Sequence, residues 1–317
     1  MNGRTIGILG ALGATLAWGG QFPVFGSVLQ HLDPFWLTAI RGAACSVVLL
    51  AVLVLFEGPR ALSLGARPWL LAALGALGFT VFGILLLVGV GMSGAQHGAL
   101  IMATTPLLAA LVNWARTGRR PAAMTLGFTL LAFAGVALVV TRGNVATLLG
   151  GGSALGDLLI LGGAFAWAIY TLEAPAFGAW SPLRFSALTV ALGTLGLFAM
   201  TALATLVGAA HVPTHAALIA ALPGMAYLVL VGQAFAIFAW TLGIKHLGST
   251  RAVLFMNAVP IVTFAIEIAL GAHFHPVEYI GAAITIGALV LNNVLTNTVQ
   301  PLCPGGTSAS VSRVQNA

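Results

Sequence analysis

Almost the whole chain divides into runs of about 20 mostly apolar residues, the length a helix needs to cross a bilayer. Ten are counted between polar or Pro/Gly breaks: Thr5 to Leu29, Pro34 to Phe56, Pro68 to Gly91, Ala95 to Ala115, Pro121 to Thr141, Ala154 to Glu173, Pro182 to Leu206, Leu222 to Leu242, Ala252 to Leu270 and Pro276 to Val294. In lipid every backbone N–H and C=O needs a protein partner, and a helix supplies it within one segment. The expected fold is therefore all-α and integral to the membrane, with ten transmembrane helices. Pro34, Pro68, Pro121, Pro182 and Pro276 fall at starts, where a missing N–H costs nothing, whereas Pro23, Pro106 and Pro260 are interior and should kink their helices. The first run is long enough to span and lacks the short apolar core of a secretory signal.

Composition agrees, with 60% hydrophobic and 6% charged residues against about 25% charged in an ordinary soluble domain. The pI near 10.4 does not point to nucleic acid, because the basic residues lie between apolar runs rather than on one accessible face. Cys45 lies inside the second run and Cys303 in the tail, too far apart for a disulfide unless a helix leaves the membrane.

One stretch occurs twice. Gly94, Leu100, Met102 and Pro106 return 154 residues later as Gly248, Leu254, Met256 and Pro260, and LGATLAW at Leu12 to Trp18 returns 149 residues later as LGGAFAW at Leu161 to Trp167. Two echoes at nearly one offset suggest duplication, with residues 1–145 as a first five-helix repeat, 146–300 as a second, and 301–317 as a disordered cytoplasmic tail. Basic residues set the orientation. With the N-terminus cytoplasmic, Arg4, Arg60, Arg67, Arg116, Arg119, Arg120, Arg184, Lys245, Arg251 and Arg313 fall inside and only Arg142 outside, Arg41 being within a span. Five helices per half is odd, so the second repeat enters inverted. Gly143 to Ser153 reads as the external linker. Inverted halves give two conformations of similar energy, each opening a shared midplane site to one side.

The pattern resembles the drug/metabolite transporter superfamily, and within it the ten-helix EamA-type exporters. The resemblance rests on Trp18-Gly19, the run DPFWLTAIRG from Asp33 to Gly42, Gly94 to Pro106, Gly127 with Gly135, then Trp167, Gly248 to Pro260, and Gly281 with Gly287. Many members carry Gly-Glu after the fourth and ninth helices, where this chain has Gly118-Arg119 and Gly271-Ala272, so any role of that glutamate does not transfer. The resemblance implies export of small metabolites, amino acids including aromatic ones among them, with helices 1 to 4 and 6 to 9 around a cavity and 5 and 10 packed outside.

Trp18 and Gln21 are three apart, as are their offset counterparts Trp167 and Tyr170, so each pair shares a helical face. Counted at about 1.5 Å per residue, both indoles lie roughly 20 Å along their helices, in the middle third. Tryptophan usually sits at the membrane interface, so mid-depth indoles point to a cavity wall; plain helix packing is the bland reading. Gln233 and Asn257 are amides at spanning depth, suited to a substrate's polar groups or to bonds between helices. Phe79, Phe82, Met102 and Met256 would supply an adaptable apolar wall or ordinary core.

Arg41 and Glu267 both lie about 10 Å below the outer surface by helical rise. Equal depth suggests a structural or gating pair; the rival is that Glu267 is a protonatable coupling group. The histidines map mostly to the outer side, and His273 with His275 lacks the spacing of a helical metal site, so neither metal nor cofactor is expected.

An intramembrane enzyme lacks support, with no H-E-x-x-H, no G-x-S-x-G and Asp157 as the only aspartate in a span. A channel lacks rings of charge. The expectation is a secondary transporter in the bacterial inner membrane, termini cytoplasmic, exporting amino acids or similar small metabolites by alternating access. Another metabolite or a cationic drug is the alternative cargo. The sequence does not set the oligomeric state, a monomer being one option.

Overall fold

The structure is a computed structural model describing residues 2–118, 123–141, 152–272 and 274–299. The linker up to residue 151, the tail with Cys303 and Arg313, and Arg119, Arg120, Pro121, Arg142 and His273 lie outside the described residues. The described chain is all helical: α1 Gly3–Val28, α2 Pro34–Glu57, α3 Pro68–Ser93, α4 Ala95–Thr117, α5 Ala123–Thr141, α6 Gly152–Glu173, α7 Pro182–Leu206, α8 His215–Leu247, α9 Ser249–Ala269 and α10 Pro276–Val299. Eight of these segments, in α1 to α4 and α6 to α9, are long and apolar enough to cross a membrane.

Starts are set by caps. Asn2 accepts from Thr5 N at 2.8 Å, Asp33 from Phe35 N at 2.9 Å and Trp36 N at 3.0 Å, and Ser181 from Arg184 N at 3.0 Å, each pairing an amide with no intrahelical acceptor. Pro34, Pro68, Pro182 and Pro276 stand first in their helices. The eighth helix starts at His215, well before the expected Leu222, and carries Pro223 in its interior.

The interior prolines act differently from one another. α1 runs through Pro23 without a break. The carbonyl that Pro23 frees, that of Gly19, accepts from Thr263 Oγ1 of α9 at 2.8 Å, so a neighbouring helix supplies the partner that lipid cannot. In α4 the helix stops at Met102 and restarts at Thr105, with Pro106 in the first turn of the new segment. α9 passes through a tighter turn, Val253–Asn257, before restarting at Ala258 just ahead of Pro260. Pro106 and Pro260 therefore begin second segments rather than bend continuous rods.

Two further irregularities have no proline. Ala76–Val81 in α3 and Leu230–Phe235 in α8 are wide π-turns, 154 residues apart. Gly94 and Gly248, at the same offset, join α3 to α4 and α8 to α9 with φ 95°, ψ 164° and φ 82°, ψ 152°, a region essentially closed to other residues.

Helices meet through glycine. A Cβ at Gly89 of α3 would lie 2.5 Å from Gly156 O of α6, one at Gly193 of α7 2.4 Å from Gly75 O of α3, and one at Gly135 of α5 2.6 Å from Gly281 O of α10. Small residues let backbones approach closely where water gives no drive to associate. α3 packs on α6, α8 on α1, α2 on α7, and α5 on α10.

Candidate functional site

The charged side chains of Arg60, Arg67, Arg116, Arg184, Lys245 and Arg251 belong to the end of the bundle that holds the α1 N-terminus, hereafter the basic end. Within the bundle lies an open-mouthed cavity lined by Trp18, Gln21, Phe22, Arg41, Phe79, Phe82, Leu86, Met102, Trp167, Leu197, Gly232, Gln233, Ile237, Met256 and Val259. A largely apolar wall with a few polar groups suits a small organic molecule.

The cavity ends on an aromatic floor. Trp167, 2% exposed, packs ring to ring with Trp18 at 5.4 Å, Phe82 at 5.0 Å, Tyr170 at 5.0 Å, and Phe79 and Trp240 each at 6.4 Å. From Tyr170 the stack continues to Phe185 at 5.7 Å, then Phe177 at 5.6 Å and Trp180 at 5.0 Å, at the basic end. The polar groups above the floor are unsatisfied by protein: Gln21 Oε1, Gln233 Oε1, Trp167 Nε1 and Arg41 Nε are buried with no hydrogen-bond partner. Groups of this kind are costly to leave unpaired and mark where a ligand's polar atoms would be satisfied.

Eight of the ten residues expected to bind substrate line this cavity: Trp18, Gln21, Phe79, Phe82, Met102, Trp167, Gln233 and Met256. Tyr170 does not. It is fully buried beneath the floor, its hydroxyl 3.3 Å from Thr189 Oγ1. Asn257, buried at the end of the tight turn in α9, also stands outside the lining. The π-turns place Phe79 and Gln233, equivalent at the 154-residue offset, on the wall. Beside them Gly78 leaves room for Tyr170, whose Cδ2 would be 2.6 Å from a Cβ there, and Gly232 for Gln21, whose Oε1 would be 3.1 Å away.

The expected Arg41–Glu267 pair is not formed. Arg41 lines the cavity with its guanidinium 5.1 Å from the Phe25 ring centroid, whereas Glu267 is hydrogen-bonded by Gln96 at the start of α4. The physical reason is lateral. α9 packs on α1 and α4, while α2 packs on α7 and α3, so equal depth does not make the two residues neighbours.

A family profile for EamA-like transporters matches residues 5–141 and again 154–294. The chain belongs to the EamA-like transporter family. It is 31% identical over 293 residues to the uncharacterized transporter YrdR of Bacillus subtilis (strain 168), covering 91% of each chain. To the uncharacterized transporter YyaM of the same organism it is 28% identical over 288 residues, covering 90% of this chain and 92% of YyaM. A solved crystal structure superposes with a TM-score of 0.68 at 19% identity, covering 92% of this chain and 98% of that one, a likeness of fold. The protein is thus a multi-pass membrane transporter, whose cargo is a small molecule.

In this EamA-like transporter the sequence reading missed Trp240, fully buried and 5.1 Å from Trp18; an indole two residues before the end of the eighth run was its visible signal. A His–Asp hydrogen bond and an ion pair were also missed. His97 Nδ1 and Asp157 Oδ1 meet at 2.9 Å between α4 and α6 with side chains 9% and 12% exposed, and Arg116 pairs with Glu173 at the other ends of the same helices. Together they clamp α4 to α6 at both ends, between the two stretches that match the family.

Proposed function

We propose that this EamA-family transporter has ten spanning helices in two inverted five-helix repeats, 1–145 and 146–300. It exports amino acids, aromatic ones included, or similarly small metabolites across the bacterial inner membrane by alternating access. The termini and the basic end face the cytoplasm, in keeping with the excess of Arg and Lys there.

The observation that carries this reading is the asymmetry of equivalent residues about the floor. Gln21 borders the cavity while its counterpart Tyr170 is sealed beneath, although Gly232 and Gly78 back them in the same way. Exchanging the two arrangements would close the present mouth and open a path toward the basic end, as expected for halves of opposite topology. Indole, phenyl and thioether walls suit aromatic and aliphatic side chains, and the unpartnered amide oxygens of Gln21 and Gln233 suit a substrate's ammonium. Among the described residues that line the cavity none is a carboxylate, which favours flux down the substrate gradient over a tight proton cycle.

Counterflow in proteoliposomes tests the reading. Unlabelled aromatic and aliphatic amino acids loaded inside should accelerate entry of a labelled one, with saturation and with little change on imposing a pH gradient. No acceleration by any amino acid would remove this cargo class, and strict dependence on a pH gradient would remove the uncoupled mechanism.

A further inference from the structure

Among the described residues that line the cavity one side chain is ionisable, Arg41, which is 6% exposed. A guanidinium stays charged in proteins, and a cation at membrane depth is costly without a counter-ion. The chain has six acidic side chains, and each makes its contacts away from Arg41. Asp33 caps α2 and accepts from His211 N, Glu57 from Ser181, Glu267 from Gln96 and Glu278 from His275 N, while Asp157 and Glu173 pair with His97 and Arg116. Glu267 Oε2 and Asp157 Oδ2 keep no partner of their own, but among the described residues no carboxylate forms an ion pair with Arg41 or lines its cavity, and the contact of its guanidinium is the face of Phe25.

We infer that Arg41 is the anion-binding residue of the cavity and that the transported molecule itself brings the counter-charge, a carboxylate. The substrate then lies with its acidic group on Arg41, where a planar fork of donors matches a carboxylate. Its ammonium or hydroxyl groups lie against Gln21 and Gln233, and its side chain on Trp18, Trp167 and Met102. Cationic amines and cationic drugs are excluded by the same charge. This assignment refines the amino-acid reading above but stands on the charge census, so the two fail separately.

The test is binding to the purified full-length chain in detergent, followed by titration calorimetry and thermal unfolding. The probes are phenylalanine, phenylpropionate without the ammonium, phenethylamine without the carboxylate, benzoate and succinate, and chloride alone. Phenylalanine should bind, phenethylamine should bind at least tenfold more weakly, and Arg41→Gln should remove that difference by weakening phenylalanine at least tenfold. Arg41→Lys, which keeps the charge but not the fork, should fall between. Free Arg41→Gln should unfold at the same temperature as the unsubstituted protein or higher, since it removes an uncompensated charge. If phenylalanine fails but benzoate or succinate binds in an Arg41-dependent way, the inference stands and the amino-acid reading falls. If phenethylamine binds as well as phenylalanine, if Arg41→Gln keeps the discrimination, if chloride binds and no carboxylate displaces it, or if no anion binds, the inference is overturned.

Discussion

Replacing Trp167 separates its two roles. The indole is nearly inaccessible and has five aromatic neighbours, so Trp167→Ala should cost about 3–5 kcal/mol, the usual range for emptying such a site. The same change opens the floor and should add a non-saturable leak to vesicle flux. Trp167→Phe keeps a ring in the stack and breaks no hydrogen bond within the protein, because Nε1 has no partner there. Its stability cost should therefore stay near about 1–2 kcal/mol. If the N–H serves the substrate, its loss removes one hydrogen bond of about 0.5–1.5 kcal/mol, which weakens half-saturation roughly two- to twelve-fold. Thermal unfolding in detergent and concentration-dependent counterflow read the two quantities. A Phe variant as unstable as the Ala variant would make the indole N–H structural. One with unchanged half-saturation would remove Trp167 from the binding wall.

Four other substitutions test the packing. Gly89→Ala puts a methyl 2.5 Å from Gly156 O and should destabilise by about 1–3 kcal/mol through overpacking. Gly127→Ala in α5, with nothing within 4 Å, should be neutral or slightly stabilising; a comparison of unfolding midpoints decides. Asp157→Ala strips the partner from a nearly buried His97 and should cost about 1–3 kcal/mol, whereas Glu173→Ala frees an Arg116 that is half exposed and should cost less than about 1 kcal/mol. Equal losses would mean that burial does not distinguish the two clamps.

The all-helical membrane architecture was legible because its signals are local: apolar run length, prolines at starts, and the repeated stretch that begins at Gly94 and Gly248. The echo that carried Trp18 and Gln21 onto Trp167 and Tyr170 also pointed to both sides of the floor. What escaped the sequence depends on lateral arrangement. Depth along a helix gave Arg41 and Glu267 the same height but not which helices intervene, and the π-turns at Phe79 and Gln233 have no proline to announce them. Pairing of His97 with Asp157 likewise required knowing that α4 and α6 are neighbours. Tyr170 stands outside the lining for another reason: a repeat predicts equivalent positions, but Gln21 borders the cavity while Tyr170 is packed in the core.

The most direct test of alternating access is thiol labelling of two single-cysteine proteins made after replacing Cys45 and Cys303. M102C lies on the cavity wall, and T171C is fully buried beside Tyr170 below the floor. An impermeant maleimide is applied from either face of oriented vesicles, with and without transported substrate. The account predicts that M102C reacts from the mouth side, that T171C reacts from the basic side, and that conditions raising one rate lower the other. Both sites reacting at once from one face would indicate a continuous pore, and a T171C site that never reacts during transport would place the path elsewhere.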